Sequence, residues 1–443
     1  MRIVVDTGTY DYSNMGDVAM LQVAVTRLKK LWPTGSIEVF TEQPDSLAAY
    51  CPGTKPIPCS GRHLWFSDRV LLGRYHRFLP KTVSLYLTRL KRALGRRRPA
   101  LVGALIDLRL RLKGRGNGDT RGFLAAMAGA DLVVVTGAGG FSDQSPAWNT
   151  TLLNTLDMAF QAGTPAAMFG QGLGPLEDLE TLARASVILP RVSLITLRES
   201  KSSLPLLQSL GVASDHILAT GDEAIELAYE TRPTRPGNGV GVNLRVASYA
   251  NVGSDMIKKI RPVLHAFAGK YQAPLISVPI SFSSYNQDHE TIKQLLAGYD
   301  NQFDGGISLN TPLKVMEQVG RCRVVVAGAY HAAVFALAQG IPAVCLTKSP
   351  YYVDKFLGLA DQFGQGCEIV FLDDTNLSEK LTAAIERTWQ LAEMVRLPLQ
   401  QAAFRQIELS RSAYERVRNL FRSHRALQPI SSQETGTHRR AAN

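Results

Sequence analysis

Short apolar runs recur along this chain, and each empties into glycine and polar residues before a longer amphipathic stretch begins. IVVDTG, from Ile3, leads into Tyr10 to Asp17 and then into a helical pattern over residues 18–31. SIEVFT from Ser36, DLVVVTGAGGFSDQ from Asp131, PAAMFGQGLGPL from Pro165, VSLITLRES from Val192 and HILATGDEA from His216 repeat the alternation. Continuous apolar strands bounded by turn residues and separated by helices predict a parallel, doubly wound sheet. The polar residues after each strand then gather along one edge, where ligands of such sheets bind.

Residues 231–239, TRPTRPGNG, hold two prolines and two glycines and predict a joint between two units. A second series follows: VGVNLR from Val240, a helix with apolar Met256, Ile257, Ile260, Val263, Leu264 and Phe267, then PLISVPIS, GGISLN from Gly305, the run 324–346 and CEIVFLD from Cys367. Two helical stretches are expected near 377–395 and 399–423, and the polar end of the chain lacks periodicity. The expectation is an α/β protein of two Rossmann-like doubly wound domains facing a cleft: residues 1–235, residues 236–425 with the terminal helices, and a disordered tail at 426–443.

The run VVVAGAYHAAVFALAQGIPAVCL, from Val324, reads as one strand–helix–strand unit. Small residues (Ala327, Gly328, Ala329) deliver Tyr330 and His331 at the start of the helix, and Gly340 stops it. His331 is therefore placed at a strand's carboxyl end beside a helix N-terminus, where an anion can approach. A satisfied core histidine is the bland reading of the same position.

Composition narrows the chemistry. The chain is globular in character, 45% hydrophobic and 20% charged over 443 residues. Its five cysteines (Cys51, Cys59, Cys322, Cys345, Cys367) show no CxxC spacing and its histidines no HxH or HExxH, so reduced thiols, no metal and no cofactor are expected. MRIVVDTG runs straight into a strand and no apolar run approaches a membrane-spanning length, so a cytoplasmic location without signal peptide is expected. Gly137, Gly139 and Gly140 form neither a P-loop, since no Gly-Lys-Ser/Thr follows, nor a convincing dinucleotide fingerprint.

The net charge of +11 is local: residues 61–121 carry sixteen Lys/Arg against Asp68, Asp107 and Asp119. Two helical patterns lie there. One opens at Pro80, with Val83, Tyr86, Leu87, Leu90 and Leu94 beside Arg89, Arg92 and Arg96; the other opens at Pro99, with Leu101, Leu105, Leu108 and Leu112 beside Arg109, Arg111 and Lys113. The interleaved residues are aliphatic, which disfavours nucleic acid. Apolar stripes with basic flanks suit an anionic membrane surface, so peripheral attachment at the inner membrane face is expected. A solvated basic face and packing on the domain are the alternatives.

Five segments, in order, resemble the polysaccharide pyruvyl transferase family: Ser13-Asn14-Met15-Gly16-Asp17; Thr136 to Asp143 (TGAGGFSD); Gly170-Gln171-Gly172-Leu173-Gly174-Pro175; Arg198-Glu199-Ser200 with Leu210-Gly211-Val212 and Thr220-Gly221-Asp222; and the His331 unit with Gly340-Ile341-Pro342. The resemblance implies a GT-B-like fold and transfer of the enolpyruvyl unit of phosphoenolpyruvate onto a sugar diol of a cell-surface or exopolysaccharide glycan, free or lipid-linked, leaving a pyruvate ketal. It implies His331 as general acid or base and Arg198 and Tyr330 as donor-binding residues, with the C-terminal domain as the donor side; Arg245 and Lys348, which follow apolar runs, are further donor-binding candidates. Asn14, Asp17, Gly139, Gly140, Asp143 and Gln171 are the implied acceptor-binding residues of the N-terminal domain. One departure bears on the donor. The family commonly has an arginine two residues before the histidine, expected to bind the phosphate or carboxylate of the donor, and here Ala329 stands there, with Tyr330 where leucine or phenylalanine is usual. Arg198, Arg245 and Lys348 each follow an apolar run and are the candidates to supply the missing charge. A GT-B glycosyltransferase using a nucleotide-sugar, or a non-catalytic carbohydrate-binding relative, are the competing readings.

Overall fold

The computed structural model describes residues 1–8, 10–67, 98–112, 119–137, 139–299 and 304–427, with residues 83, 86, 87, 90 and 94. Among them the strands form two sheets. β1 (Arg2–Asp6), β2 (Ser36–Thr41), β3 (Lys55–Pro58), β4 (Leu132–Val135), β5 (Ala166–Gln171), β6 (Leu194–Leu197) and β7 (Ile217–Ala219) lie in the order β3-β2-β1-β4-β5-β6-β7. β8 (Gly239–Asn243), β9 (Leu275–Ser277), β10 (Cys322–Ala327), β11 (Ala343–Thr347) and β12 (Cys367–Phe371) lie in the order β12-β11-β10-β8-β9. Every pairing is parallel. The strand order therefore reverses once in each sheet, between β1 and β4 and between β8 and β10.

Three elements depart from the sequence reading. β3 has no apolar alternation and contains Pro56 and Pro58, yet it pairs with β2. An edge strand tolerates proline because one row of its backbone groups has no partner strand. GGISLN is a turn rather than a strand, with Gly305 and Gly306 at φ +70° and +84° and Ile307 exposed. The two expected C-terminal helices are one continuous helix, Leu377–Leu427, with Pro398 inside it. Packing along its length outweighs the single backbone bond that proline removes. Most of the expected disordered tail, residues 428–443, lies outside the described residues, as does much of the basic insertion.

The helices include α1 (Met15–Leu31), α2 (Pro99–Leu112), α3 (Ala224–Glu230), α4 (Tyr330–Ala338), α5 (Pro350–Phe363) and α6 (Leu377–Leu427). α4 is buried on every side, against β10, α3 and α6, which explains why its sequence is apolar all round. α6 starts on the second sheet and ends on the first, where Tyr414 stacks on Phe169 with ring centroids 3.8 Å apart. One hydrophobic cluster runs through both sheets, from Ile3, Val5 and Phe169 to Val242, Val324 and Phe335. The two sheets thus share apolar packing, and their relative position is fixed by burial.

A buried polar knot ties α1, α3 and α6 together. Arg27 donates from Nε to Glu226 (2.8 Å) and from Nη1 to Ser410, while Arg411 donates from Nε to the other Glu226 oxygen at 3.0 Å. Tyr414 donates to Glu223, which lies 3.5 Å from Arg27. Burial raises the Glu223 carboxyl to about 7, more than Arg27 and Tyr414 pull it down, and Asp222 adds to the rise. A carboxyl raised in the folded state stabilises most below its unfolded value and loses that contribution as pH climbs to the folded one. Stability should therefore fall between about pH 4.5 and pH 7 through this group, by up to roughly 3 kcal/mol. Glu223→Gln keeps an acceptor for Tyr414 and removes the titration. Its melting temperature relative to wild type should rise from pH 5 to about pH 7 and then level off, and a difference independent of pH would remove Glu223 from the pH response.

Candidate functional site

The carboxyl ends of the strands beside both reversals meet at one cavity of about 240 Å³. Gly8 follows β1, Gly139 follows β4, Arg245 follows β8 and Ala329 follows β10, and all four line it. Its walls are locked by backbone hydrogen bonds between the two halves: Met15 N–H to the Ile280 carbonyl (2.9 Å) and Phe282 N–H to the Ser13 carbonyl (2.7 Å). Asn14 caps α1 by accepting from Gly16 N–H at 2.9 Å, and Asp17 faces the cavity from the first turn. A larger concavity of about 400 Å³ between α5 and α6, lined by Gln362, Met394, Pro398 and Arg405, holds none of these residues.

Arg198 leaves the end of β6 and is buried, 1% exposed. Its guanidinium lies 3.6 Å from Asp222 and 4.6 Å from the centroid of the Tyr330 ring. Two glycines make room for it. A Cβ at Gly139 would lie 1.8 Å from Arg198 Nη2, and one at Gly172 would lie 2.4 Å from its Nε. The glycine-rich loop and the Gly-Gln-Gly segment are thus spacers around a cation, and the same Nε and Nη2 have no hydrogen-bond partner among the described residues.

His331, in the first turn of α4, reaches Asp222 with Nε2–Oδ2 at 3.5 Å, at the outer limit of a hydrogen bond. Burial pushes the Asp222 carboxyl up, but His331 and Arg198 outweigh it and hold it below its usual range. The imidazole rests on the α1 backbone: a Cβ at Gly16 would lie 2.0 Å from two of its ring atoms.

The remaining expectations divide. Asn14, Asp17, Gly139, Gly140, Tyr330, Arg245 and His331 line the cavity together with Arg198. Gln171 does not: it is buried and its amide donates to the carbonyls of Val135, Thr136 and Phe169, holding β4 to β5. Asp143 accepts from the backbone N–H of Glu177 (2.7 Å) and Asp178 (3.2 Å), closing a loop outside the cavity. Lys348 is absent from the cavity wall. Arg245 is present, but its charge is already matched by a two-pronged contact with buried Asp288 (2.7 and 2.9 Å), and Nη1 donates to Tyr249. It therefore acts as a wall rather than as an open anion site.

Sequence reasoning missed Asp222 as the partner of His331, and missed Trp148, Tyr351 and Lys355, which also line the cavity. Tyr351 and Lys355 are four residues apart on α5, whose start Ser349 caps by accepting from Tyr352 N–H. Polar residues one turn into a helix that follows a strand's carboxyl end were the available signal.

Close seating of His331 on Gly16 has a measurable consequence. Alanine is the better helix former by about 0.5–1 kcal/mol, so Gly16→Ala should stabilise α1 wherever the new methyl has room. In wild type it meets the imidazole and should cost about 1–3 kcal/mol. In a His331→Ala background it should be neutral or stabilising by denaturant titration. Equal effects in both backgrounds would mean that the two residues do not touch.

A family model described as "Polysaccharide pyruvyl transferase" matches residues 14–350. The amylovoran biosynthesis protein AmsJ of Erwinia amylovora is 20% identical over 268 residues, spanning 55% of this chain and 63% of that protein, less than two thirds of its length. Among solved structures, a candidate UDP-N-acetylglucosamine 2-epimerase from Listeria monocytogenes superposes over 98% of this chain and 99% of its own, with a TM-score of 0.57 at 12% identity. MnaA of S. aureus, solved with UDP, superposes over 98% of this chain and 100% of its own, with a TM-score of 0.53 at 14% identity. These structural likenesses carry the fold, a GT-B-like pair of Rossmann-like units. The match over residues 14–350, which takes in the Asn14–Asp17 turn, the two glycine segments, Arg198, Asp222 and His331, carries the family: the chain belongs to the polysaccharide pyruvyl transferases.

Proposed function

We propose that this protein transfers the enolpyruvyl group of phosphoenolpyruvate to a sugar diol of a cell-surface or exopolysaccharide glycan, forming a pyruvate ketal. The reading rests on one observation: buried Arg198, whose Nε and Nη2 have no hydrogen-bond partner among the described residues, lines the same cavity as His331, and Asp222 lies behind both at 3.6 and 3.5 Å. A guanidinium edge of this kind suits a carboxylate or phosphate gripped by two parallel hydrogen bonds. The relative named for amylovoran biosynthesis supports a polysaccharide acceptor.

The reaction balances without oxidant or cofactor. Two acceptor oxygens bond to C2 of the enolpyruvyl group, the C2–O bond to phosphate breaks, and the methylene carbon becomes methyl. Of the two hydroxyl protons, one ends on that methyl and the other on the phosphate. His331 is the group to carry a proton from hydroxyl to methylene, with Asp222 3.5 Å from its Nε2. The start of α4, where Ala329 supplies no side-chain cap, offers backbone N–H groups to the departing phosphate. Asn14, Asp17 and the Gly139–Gly140 backbone form the wall assigned to the acceptor, and the Trp148 ring gives a sugar an apolar face.

Ligand binding tests the donor without an acceptor. Phosphoenolpyruvate should raise the melting temperature as its concentration exceeds Kd, and UDP- and GDP-sugars should not. Arg198→Lys should lose most of that shift. His331→Ala should keep it while turnover with the native acceptor falls by roughly 10²–10⁴-fold. A shift with a nucleotide-sugar and none with phosphoenolpyruvate would replace this reading with a glycosyltransferase.

The acceptor side is proposed to work at an anionic membrane surface, as a lipid-linked glycan would require. α2 buries Val102, Ile106 and Leu110 against Leu64 and Trp65, and leaves Leu101, Leu105, Leu108 and Leu112 at 52%, 49%, 54% and 80% exposure. That outward leucine stripe is flanked in sequence by Arg109, Arg111 and Lys113, within a segment of net charge +13. No helix among the described residues is long and apolar enough to cross a membrane, so attachment would be peripheral. Anionic vesicles should float the wild-type protein at low salt, high salt should release it, and Leu105→Glu with Leu108→Glu should abolish flotation while leaving the melting temperature nearly unchanged. Wild-type protein that stays down with anionic vesicles at low salt would end the membrane proposal.

A further inference from the structure

The chain has alanine at position 329, where an arginine was expected to meet the donor's negative charge, and none of the sequence-chosen substitutes fills the gap. Arg245 is neutralised by Asp288, and Lys348 lies off the cavity wall. A different cation does reach the site. α5 carries Tyr351 and Lys355 on one face, four residues apart, and directs both across the cleft at Gly139. Tyr351 donates to the Gly139 carbonyl at 2.5 Å, and Lys355 Nζ lies 3.4 Å from the same oxygen.

The setting of this ammonium is unusual. It stands 3.5 Å from the centroid of the Tyr351 ring, with Tyr330 and Tyr352 at 6.0 and 5.7 Å. A Cβ placed on Gly139 would lie 2.6 Å from Lys355 Nζ and 1.8 Å from Arg198 Nη2, so the two cations are no further apart than those two legs allow. Asp222 lies 3.6 Å from Arg198, whereas no ion pair to Lys355 is found among the described residues. Two basic groups held this close, one without a carboxylate, repel unless an anion joins them. Aromatic faces lessen that repulsion but do not remove it.

We propose that Lys355 is a donor-binding residue: across Gly139 from Arg198, it grips the second anionic group of the donor and takes the place of the arginine absent at 329. The assignment rests on the phosphoenolpyruvate reading above, because that molecule carries two anionic groups, a phosphate and a carboxylate, for two cations. Burial, and then the neighbouring Arg198, hold the Lys355 amine well below its ordinary range, against the pull of Asp17 and Asp222. A bound anion reverses that balance, so binding should draw a proton onto the amine.

Titration calorimetry with phosphoenolpyruvate at pH 8, in two buffers of different ionisation enthalpy, reads affinity and proton uptake together. Wild type should take up a fraction of a proton. Lys355→Met should weaken binding by about tenfold to a hundredfold and abolish that uptake. Lys355→Arg, charged at every accessible pH, should recover part of the affinity but none of the uptake. Undiminished binding by Lys355→Met overturns the assignment of Lys355 alone. So does weakened binding that Lys355→Arg fails to improve, or uptake that persists in Lys355→Met. A wild-type protein that binds no phosphoenolpyruvate overturns the donor reading and this inference with it.

Discussion

A guanidinium removed from water, with Asp222 as its one ion-pair partner among the described residues, is the constraint around which the cleft is arranged. Arg198 is buried where the two sheets point their carboxyl ends at each other, and Asp222 at 3.6 Å and the Tyr330 face compensate only part of its charge. Uncompensated burial of such an ion costs several kcal/mol, so the cleft must leave room for it and supply opposite charge. Gly139 and Gly172 satisfy the first demand, since a Cβ at either would overlap the guanidinium. Asp222 satisfies the last and is shared with His331, which joins an anion-binding group and a proton-carrying group through one carboxylate.

Holding that arrangement requires two units that do not drift apart. The backbone bonds between residues 13–15 and 280–282 set the cleft edge, and the seat of His331 on Gly16 makes the second unit's imidazole part of the first unit's helix surface. Behind the site, α6 returns to the first sheet and closes the Arg27, Glu223, Glu226, Tyr414 knot one residue away from Asp222. Neighbouring positions 222 and 223 thus face opposite duties. Asp222 is held ionised for the cavity, and Glu223 is pushed toward neutrality in the interior.

The leucines of α2 show that an amphipathic pattern by itself does not say which side is inward. Leu101, Leu105, Leu108 and Leu112 form the more obvious stripe, yet Val102, Ile106 and Leu110 make the contact with the protein. Both stripes satisfy helical periodicity, so spacing could not choose between them. The choice falls to whichever face meets Leu64 and Trp65.

The sequence alone determined the alternation of buried strands and helices, the parallel sheets, the location of His331 and Arg198 after strand ends, and the family likeness. These follow from short-range periodicity and from glycines whose spacing is local. It misplaced Gln171 and Asp143, because an amide that pins neighbouring strands and a carboxylate that closes a loop occur in the same motifs as ligand-facing groups. Tertiary structure decided which charges remain open. Arg245 met Asp288, forty-three residues away, and closed; Lys355 met the Gly139 carbonyl, 216 residues back, and found no carboxylate among the described residues. Whether a cation is neutralised depends on what lies within a few ångströms of it, and that distance is set by the packing of one sheet's helices on the other's strand ends, which residue spacing along a single chain does not encode.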